Sequence, residues 1–550
     1  MDDLKGYMMS LIKLINLMSD IKAKMFDAGL EWNAKKCNVP NIINGVIDLS
    51  VKEVVLSDRT IIKCLKSEDL YKFLGVPENV MHDVDDIVKR LKKEVKQRTN
   101  VIWSSPLSDF NKVVSTNVFV HSPLEYYMWS EKFRLDDIRE MNQVIRTVLN
   151  EQQAKYKLQS NDSLYLPRSK GGRGLKCFET TYKKTKVVAA TNLLTRKDPR
   201  IELVREFERN QMEKGRSSLF TDAIRYASED FSVSLVPSTD NFILEYEKND
   251  ETVVTSNKNI VKSVLKKNVI EGLIQNITAS TWQGVMFEAR YNDSELVPDS
   301  CFTWLSTWKD APVKVINDFH SIYLQIVPTL TFQKYRGQPN ITMTLCRLCK
   351  KGEETVKHLL SNCEKFANTA YKRRHDRVLQ LIMFKFLHKN ELIEKVPPWY
   401  TNICIKPHYS SAGLDIFWDI PEYSGYESEQ EQNHGPLRPD GKIISKTTKS
   451  IYVLEMSVPW ITNRGCKLEE KENKYINIVQ SLKIDYPGYS VKQLTFIIDC
   501  MGGYSKELLE NLAAMGFTKE EIRSILPGIQ RIIVTEANSV INNFKVSTMK

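Results

Sequence analysis

Cys346, Cys349, His358 and Cys363 follow one another with the spacing C-x2-C-x8-H-x4-C, and no other feature of the chain limits its local fold so tightly. Two cysteines separated by two residues reach one metal ion from a tight turn. A His-Cys pair on the following helix supplies the other two corners of a tetrahedron. With all four positions filled by protein, none is left for water. The spacing therefore predicts a structural zinc ion, stabilising a segment that has little core of its own. The alternative is three buried cysteines beside a chance histidine. The remaining cysteines, Cys37, Cys64, Cys177, Cys301, Cys404, Cys466 and Cys500, are scattered singly, as expected of reduced thiols in cytosol or nucleus.

Short knuckles of this kind are usually nucleic-acid modules. Lys350, Lys351, Lys372, Arg373, Arg374 and Arg377 lie near enough in sequence to serve one, although a charge run is more often a solvated face. The formal charge of +10 favours an anionic partner only weakly, because on 550 residues it also serves solubility. That length implies three or four domains. No apolar run approaches the roughly 20 residues of a membrane span. Lys13, Asp20, Lys22 and Lys24 interrupt the apolar stretch near the start, which reads as an amphipathic helix and not as a signal peptide.

The chain divides by pattern into 1–80, mixed helix and strand; 81–230, mostly helical and broken by the turn KGGRGL at 170–175; 231–340, a helical linker region without a chemical motif; 341–395, the cysteine cluster and a long helix; and 396–550. The last segment is entered by the polar loop 427–441. It reads strand (KIIS), strand (SIYVLEMSVPW), helix (CKLEEKENKYINIVQSLK), strand (VKQLTFIID), Gly502-Gly503 turn and helix, an order that argues an α/β domain with a mixed sheet. The fold class expected for the whole is multidomain α+β, mostly α.

Two carboxylates stand out in that domain. Asp440 follows Pro439 at the mouth of the strand hairpin, and Glu455 lies among apolar residues of its second strand. A carboxylate in such a run is costly to bury unless it is paired or binds a metal. Two acids brought together across a hairpin can hold Mg2+, which activates water and stabilises charge on a phosphodiester. A lysine beside the attacked phosphate would assist. Restriction-type nucleases carry it two residues after the second acid, where this chain has Ser457. Lys467, Lys471 and Lys474 on the next helix share one face and could replace it. A solvated helix face beside a structurally satisfied acid is the other reading.

The order LCRLCKKGEETVKHLLSNC, KRRHDRVL, LRPD, YVLEMSVPW and KENKY resembles the C-terminal half of non-LTR retrotransposon polyproteins of the restriction-like endonuclease type. The resemblance implies a DNA-nicking site, with Asp440 and Glu455 as magnesium ligands and Lys471 or Lys474 as the displaced lysine. It also implies a CCHC knuckle that helps hold DNA for the cut. At the other end, MDDLKGYMMSLIKLINLMSDIKAKMFDAGLEWNAKKCNV resembles the catalytic aspartate pair and next palm motif of a reverse transcriptase. There Asp2 and Asp3 would hold metal near the primer end and Lys36 would assist phosphoryl transfer. LYKFLGV (70–76) resembles the primer grip, and YLPRSKGGRGL (165–175) the thumb.

On this resemblance residues 1–80 form a truncated palm, 81–230 a helical thumb and 396–550 the endonuclease. A chain that begins at the aspartate motif lacks the earlier palm strand, so it is expected not to polymerise DNA by itself; template-dependent primer extension by the purified chain would overturn this. The partners implied are target DNA and the element's RNA, with no membrane, in the nucleus after cytoplasmic synthesis. Cutting both strands would call for a homodimer. The competing function is a catalytically dead nucleic-acid-binding remnant or repurposed protein.

Overall fold

The computed structural model describes every residue except 1–3, 67, 68, 70, 74, 75, 79–83, 197, 239–241, 249, 298, 299, 402, 423–436, 549 and 550. Asp2 and Asp3, part of the 70–76 element and most of the loop expected at 427–441 therefore lie outside the described residues. The chain is mixed α/β, mainly helical with several small sheets. It separates into two compact units: residues 1–100, 118–145 and 178–223 in one, and 101–117, 146–177 and 224–550 in the other.

In the first unit the apolar N-terminal stretch is a helix, Leu11–Asp27, capped by the Ser10 hydroxyl. Its Leu14, Ile15 and Met18 pack on Val39, Val54, Ile62 and Cys64 of a three-stranded sheet. The alternate burial of Ile61–Cys64 shows the two-residue period of a half-covered strand. Ile42–Ile43 and Val46–Ile47 form a hairpin around Asn44 and Gly45, both at positive φ. Asn-Gly suits such a turn because neither residue is strongly penalised there. Lys36 is exposed on the short 3-10 turn Ala34–Lys36. The basic helix expected after residue 84 is Val84–Ser104, and its Lys92 bonds Asp137 at 2.9 Å.

The second unit holds the cysteine cluster and both carboxylates. Residues 231–340 differ from a purely helical linker. They open with an antiparallel meander, Ser234–Pro237, Phe242–Lys248 and Glu251–Thr255. Their later helices then supply Phe287, Trp304, Phe319 and Tyr323 to a core shared with Leu166, Cys346, Cys363 and the C-terminal helix residues Val540 and Phe544. A short apolar run carries the same signal in a strand as in a buried helix segment, so the meander is hard to see in advance. The glycines of KGGRGL belong to this core. A side chain at Gly172 would collide with the Leu166 carbonyl, and the turn delivers Arg168 and Arg173 to the fully buried Asp109.

A second buried pair ties the 231–340 segment to the end of the chain. Arg290 forks onto Asp499, with Nη2 to Oδ1 at 2.7 Å and Nε to the Tyr323 hydroxyl at 3.0 Å. Asp499 also accepts from the amides of Met501 and Gly503 at 2.9 and 3.0 Å. Gly503 is needed because a Cβ there would overlap the Arg290 guanidinium. Burial alone would raise both Asp109 and Asp499, yet the adjacent guanidinium charges hold them below the ordinary carboxylate range. Each therefore adds stability that is present above the unfolded pKa of about 3.9 and lost as pH falls through the folded value. Asp499→Ala leaves Arg290 buried and unpaired, and is expected to destabilise this unit by about 3–5 kcal/mol in denaturant titration.

The last segment forms a five-stranded mixed sheet in the order His408–Ser410, Leu414–Trp418, Gly441–Ser445, Ser450–Ser457, Ser490–Ile497. The first four strands are antiparallel, and Ser450–Ser457 runs parallel to Ser490–Ile497. The crossover helix expected as one element is two, Arg464–Lys474 and Ile476–Asp485, with Tyr475 between them. One face of the sheet packs against the helices Lys372–Lys389 and Lys519–Thr548, so the segment around residue 380 shares a core with the sheet.

Candidate functional site

The cysteine cluster is assembled by backbone hydrogen bonds. The Cys346 amide donates to the Gly352 carbonyl at 2.7 Å, and the Lys350 amide returns to the Cys346 carbonyl at 2.9 Å. Lys350 takes a positive φ to close this knuckle. Gly352 is required by contact, because a Cβ would sit 2.8 Å from the His358 ring. Buried Glu354 grips the loop through the Arg347 guanidinium and amide. The candidate ligand atoms of Cys346, Cys349, His358 and Cys363 all lie within 4.8 Å of one another, and Cys349 Sγ is 3.2 Å from His358 Nε2. This Cys3His cluster could bind a metal ion such as zinc.

Burial raises the thiols of Cys346 and Cys363, the latter to about 12. At Cys349 burial also acts upward, but amide donors from Lys351 and Gly352 bring it below the ordinary thiol value. Thiols must lose their protons to bind metal, so binding here releases protons.

The cluster is joined to a neighbouring cleft by Tyr371. Its hydroxyl donates to the Leu359 carbonyl at 2.8 Å and accepts from the Cys363 amide at 3.1 Å. Tyr371 and Ser361 then form one wall of a cleft of about 350 Å3, whose other walls include Asp440, Glu455, Lys471 and Lys474. The register Gly441↔Leu454 explains why the two acids, distant in sequence, meet. Asp440 precedes one strand and Glu455 nears the end of its antiparallel neighbour.

Within the cleft the Met456 amide donates to Asp440 Oδ2 at 2.7 Å. Glu455 is 2% exposed, its Oε1 bound by Lys471 and its Oε2 without a partner among the described residues. Burial, and then the charge of Asp440, push Glu455 above the ordinary carboxylate value. Lys474 donates to the Tyr475 hydroxyl at 2.8 Å, which in turn donates to the Arg438 carbonyl at 2.9 Å. Burial and nearby Glu455 push the Tyr475 phenol far up, so it stays protonated. Lys467 instead pairs with exposed Glu470.

His375 was not apparent from the sequence. Its Nε2 lies 3.1 Å from Asp440 Oδ2 and 3.1 Å from the Met456 carbonyl, and its Nδ1 lies 2.9 Å from Asp376 Oδ1. Burial alone would lower its pKa, but hydrogen bonds to Asp376 and Asp440 carry it up to about 10. The only advance sign was an adjacent His-Asp pair in KRRHD.

Several of the basic residues near the cluster are held in ion pairs or buried, while Lys351 and Arg373 stay exposed. Arg373 and Arg377 pair with Glu536 at 2.6 and 2.5 Å, and Lys351 with Glu364 at 2.7 Å. Arg374 is 2% exposed, lies over the Tyr371 ring and donates to the Val458 carbonyl at 3.3 Å. Lys350 and Lys372 are exposed, as is Arg438 at the cleft. Among the described residues, no helix is long and apolar enough to cross a membrane. No protein-family model matches the chain, and no curated protein matches it.

Proposed function

We propose that this chain is a metal-dependent DNA-nicking endonuclease, the C-terminal part of a non-LTR retrotransposon reverse transcriptase–endonuclease. The observation that carries this reading is the meeting of Asp440 and Glu455 in one cleft with Lys471 on the Glu455 carboxylate. The partnerless Glu455 Oε2, buried near a second acid, fits a cation. A divalent ion such as Mg2+ held by Asp440 and Glu455 would polarise the scissile phosphate and lower the pKa of attacking water.

The chain's own groups would complete the site. Lys471 holds Glu455 in place and brings positive charge to the phosphate. Lys474, on the neutral Tyr475 hydroxyl, presents a second ammonium to the same cleft. Exposed Arg438 and Lys372 would meet flanking phosphates. On this reading zinc in the Cys3His cluster is structural, the five-stranded sheet is the restriction-like domain, and the protein works in the nucleus on target DNA and element RNA. A polymerase remnant of Asp2, Asp3 and Lys36 belongs to the same proposal.

The purified full chain, loaded with zinc, is expected to convert supercoiled plasmid to the nicked form only when a divalent cation is added. DNA binding should weaken steeply with salt, as phosphate contacts require. Absence of nicking with both Mg2+ and Mn2+, at salt where the DNA is bound, would favour the catalytically dead binding protein.

A further inference from the structure

His375 brings one ring nitrogen against two oxygens of the cleft at once. Its Nδ1 faces the Asp376 carboxylate at 2.9 Å, which fixes the proton on that nitrogen. Nε2 then faces two oxygens, Asp440 Oδ2 and the Met456 carbonyl, each 3.1 Å away. With a proton on Nε2 the ring donates to both oxygens; a metal ion that displaced this proton would be shared by all three atoms. Adjacent ligands at about 2.1 Å from an octahedral ion are separated by about 3.0 Å, close to both observed distances.

We propose that His375 Nε2, Asp440 Oδ2 and the Met456 carbonyl oxygen form a single divalent-cation site that prefers a first-row transition metal over Mg2+. Imidazole nitrogen suits Fe, Ni or Zn, whereas carboxylate and carbonyl oxygens suit Mg2+ and Mn2+ alike, so the histidine is the ligand that tips this site toward a transition metal. Asp376 is the positioning residue: it holds the imidazole tautomer and orientation, as carboxylates do behind metal-bound histidines. The site lies on the wall of the cleft that also contains Glu455 and Lys471. The inference rests on the proposed role of Asp440 as a metal ligand, and deepens it by naming His375 and the Met456 carbonyl as further ligands, together with the metal class.

Mn2+ is the probe, added to the zinc-loaded full chain so that His358 is already engaged, and followed by titration and pulsed electron paramagnetic resonance with 15N-histidine labelling. A histidine-nitrogen coupling is expected that His375→Gln abolishes, with the Mn2+-over-Mg2+ affinity ratio falling at least tenfold. Asp376→Asn should keep the coupling but weaken Mn2+ binding roughly 10–100-fold. Zinc content and circular dichroism establish that each variant is folded. Mn2+ that binds in an Asp440-dependent manner with no histidine coupling would overturn this inference while leaving the nuclease reading intact. Mn2+ binding indifferent to both Asp440→Asn and His375→Gln would overturn the inference and the metal assignment of Asp440 together.

Discussion

Asp440→Asn is expected to reduce plasmid nicking by at least roughly 10^3-fold while leaving folding and DNA binding nearly unchanged. Asparagine is nearly isosteric with aspartate, and its amide oxygen can still accept the Met456 amide now bound to Oδ2 at 2.7 Å. What disappears is the negative charge. A metal in such a cleft is worth several kcal/mol of transition-state stabilisation, and each 1.36 kcal/mol is a factor of ten in rate. The DNA contacts proposed for Arg438 and Lys372 are untouched, so gel-shift affinity should stay within about twofold. Glu455→Gln makes a useful contrast. It removes the charge facing Lys471 inside a nearly fully buried position, so its loss of nicking should come with measurable destabilisation. Nicking by Asp440→Asn above a tenth of the parent rate would remove Asp440 from the site.

The cysteine cluster could be read in the sequence because its information is local: four side-chain types at fixed intervals, within one knuckle and one helix start. The pairing of Asp440 with Glu455 was legible for a similar reason. Strand, turn and strand place the two acids at the same end of a hairpin, and the register Gly441↔Leu454 does so. His375 lacked any such signal, since it sits on a helix 65 residues from Asp440 and only the packing of Lys372–Lys389 on the sheet brings it there. Arg290 and Asp499 are 209 residues apart, and nothing local in either segment announces the other. The short edge strand His408–Ser410, only three residues long, owes its conformation to its neighbour. The basic residues behind the cluster left a nucleic-acid face and a solvated face both open, and the pairing of Arg373 and Arg377 with Glu536 on a distant helix is a contact that no local pattern announces.

Loss of the cluster's metal should disable the cleft as well as the knuckle. The resemblance implies a knuckle that helps hold DNA for the cut, a role that would not by itself make the carboxylate geometry depend on it. The contacts argue otherwise. His358 and Cys363 bracket the turn that carries Ser361, the Tyr371 hydroxyl bridges that turn to the Cys363 amide, and Ser361 and Tyr371 both line the cleft. Arg374 lies over the Tyr371 ring and next to His375 in the chain. Cys346 and Cys363 are fully buried within the core that Trp304 and Phe319 belong to, and His358 is 8% exposed. Without a metal, three thiols and an imidazole would have to be accommodated in that core, and metal-binding free energy in such segments is folding free energy. Cys363→Ser is therefore expected to lose stoichiometric zinc and to lower the Tm of the second unit by at least roughly 5 °C, the scale of a few kcal/mol in a unit of this size. The same variant should also lose the Asp440-dependent binding of Mn2+, which a remote DNA-holding finger would leave unaltered. Metal content, differential scanning calorimetry and Mn2+ titration on one preparation distinguish the two arrangements. A zinc-free variant that kept both its Tm and its Mn2+ site would show that the knuckle and the cleft are independent.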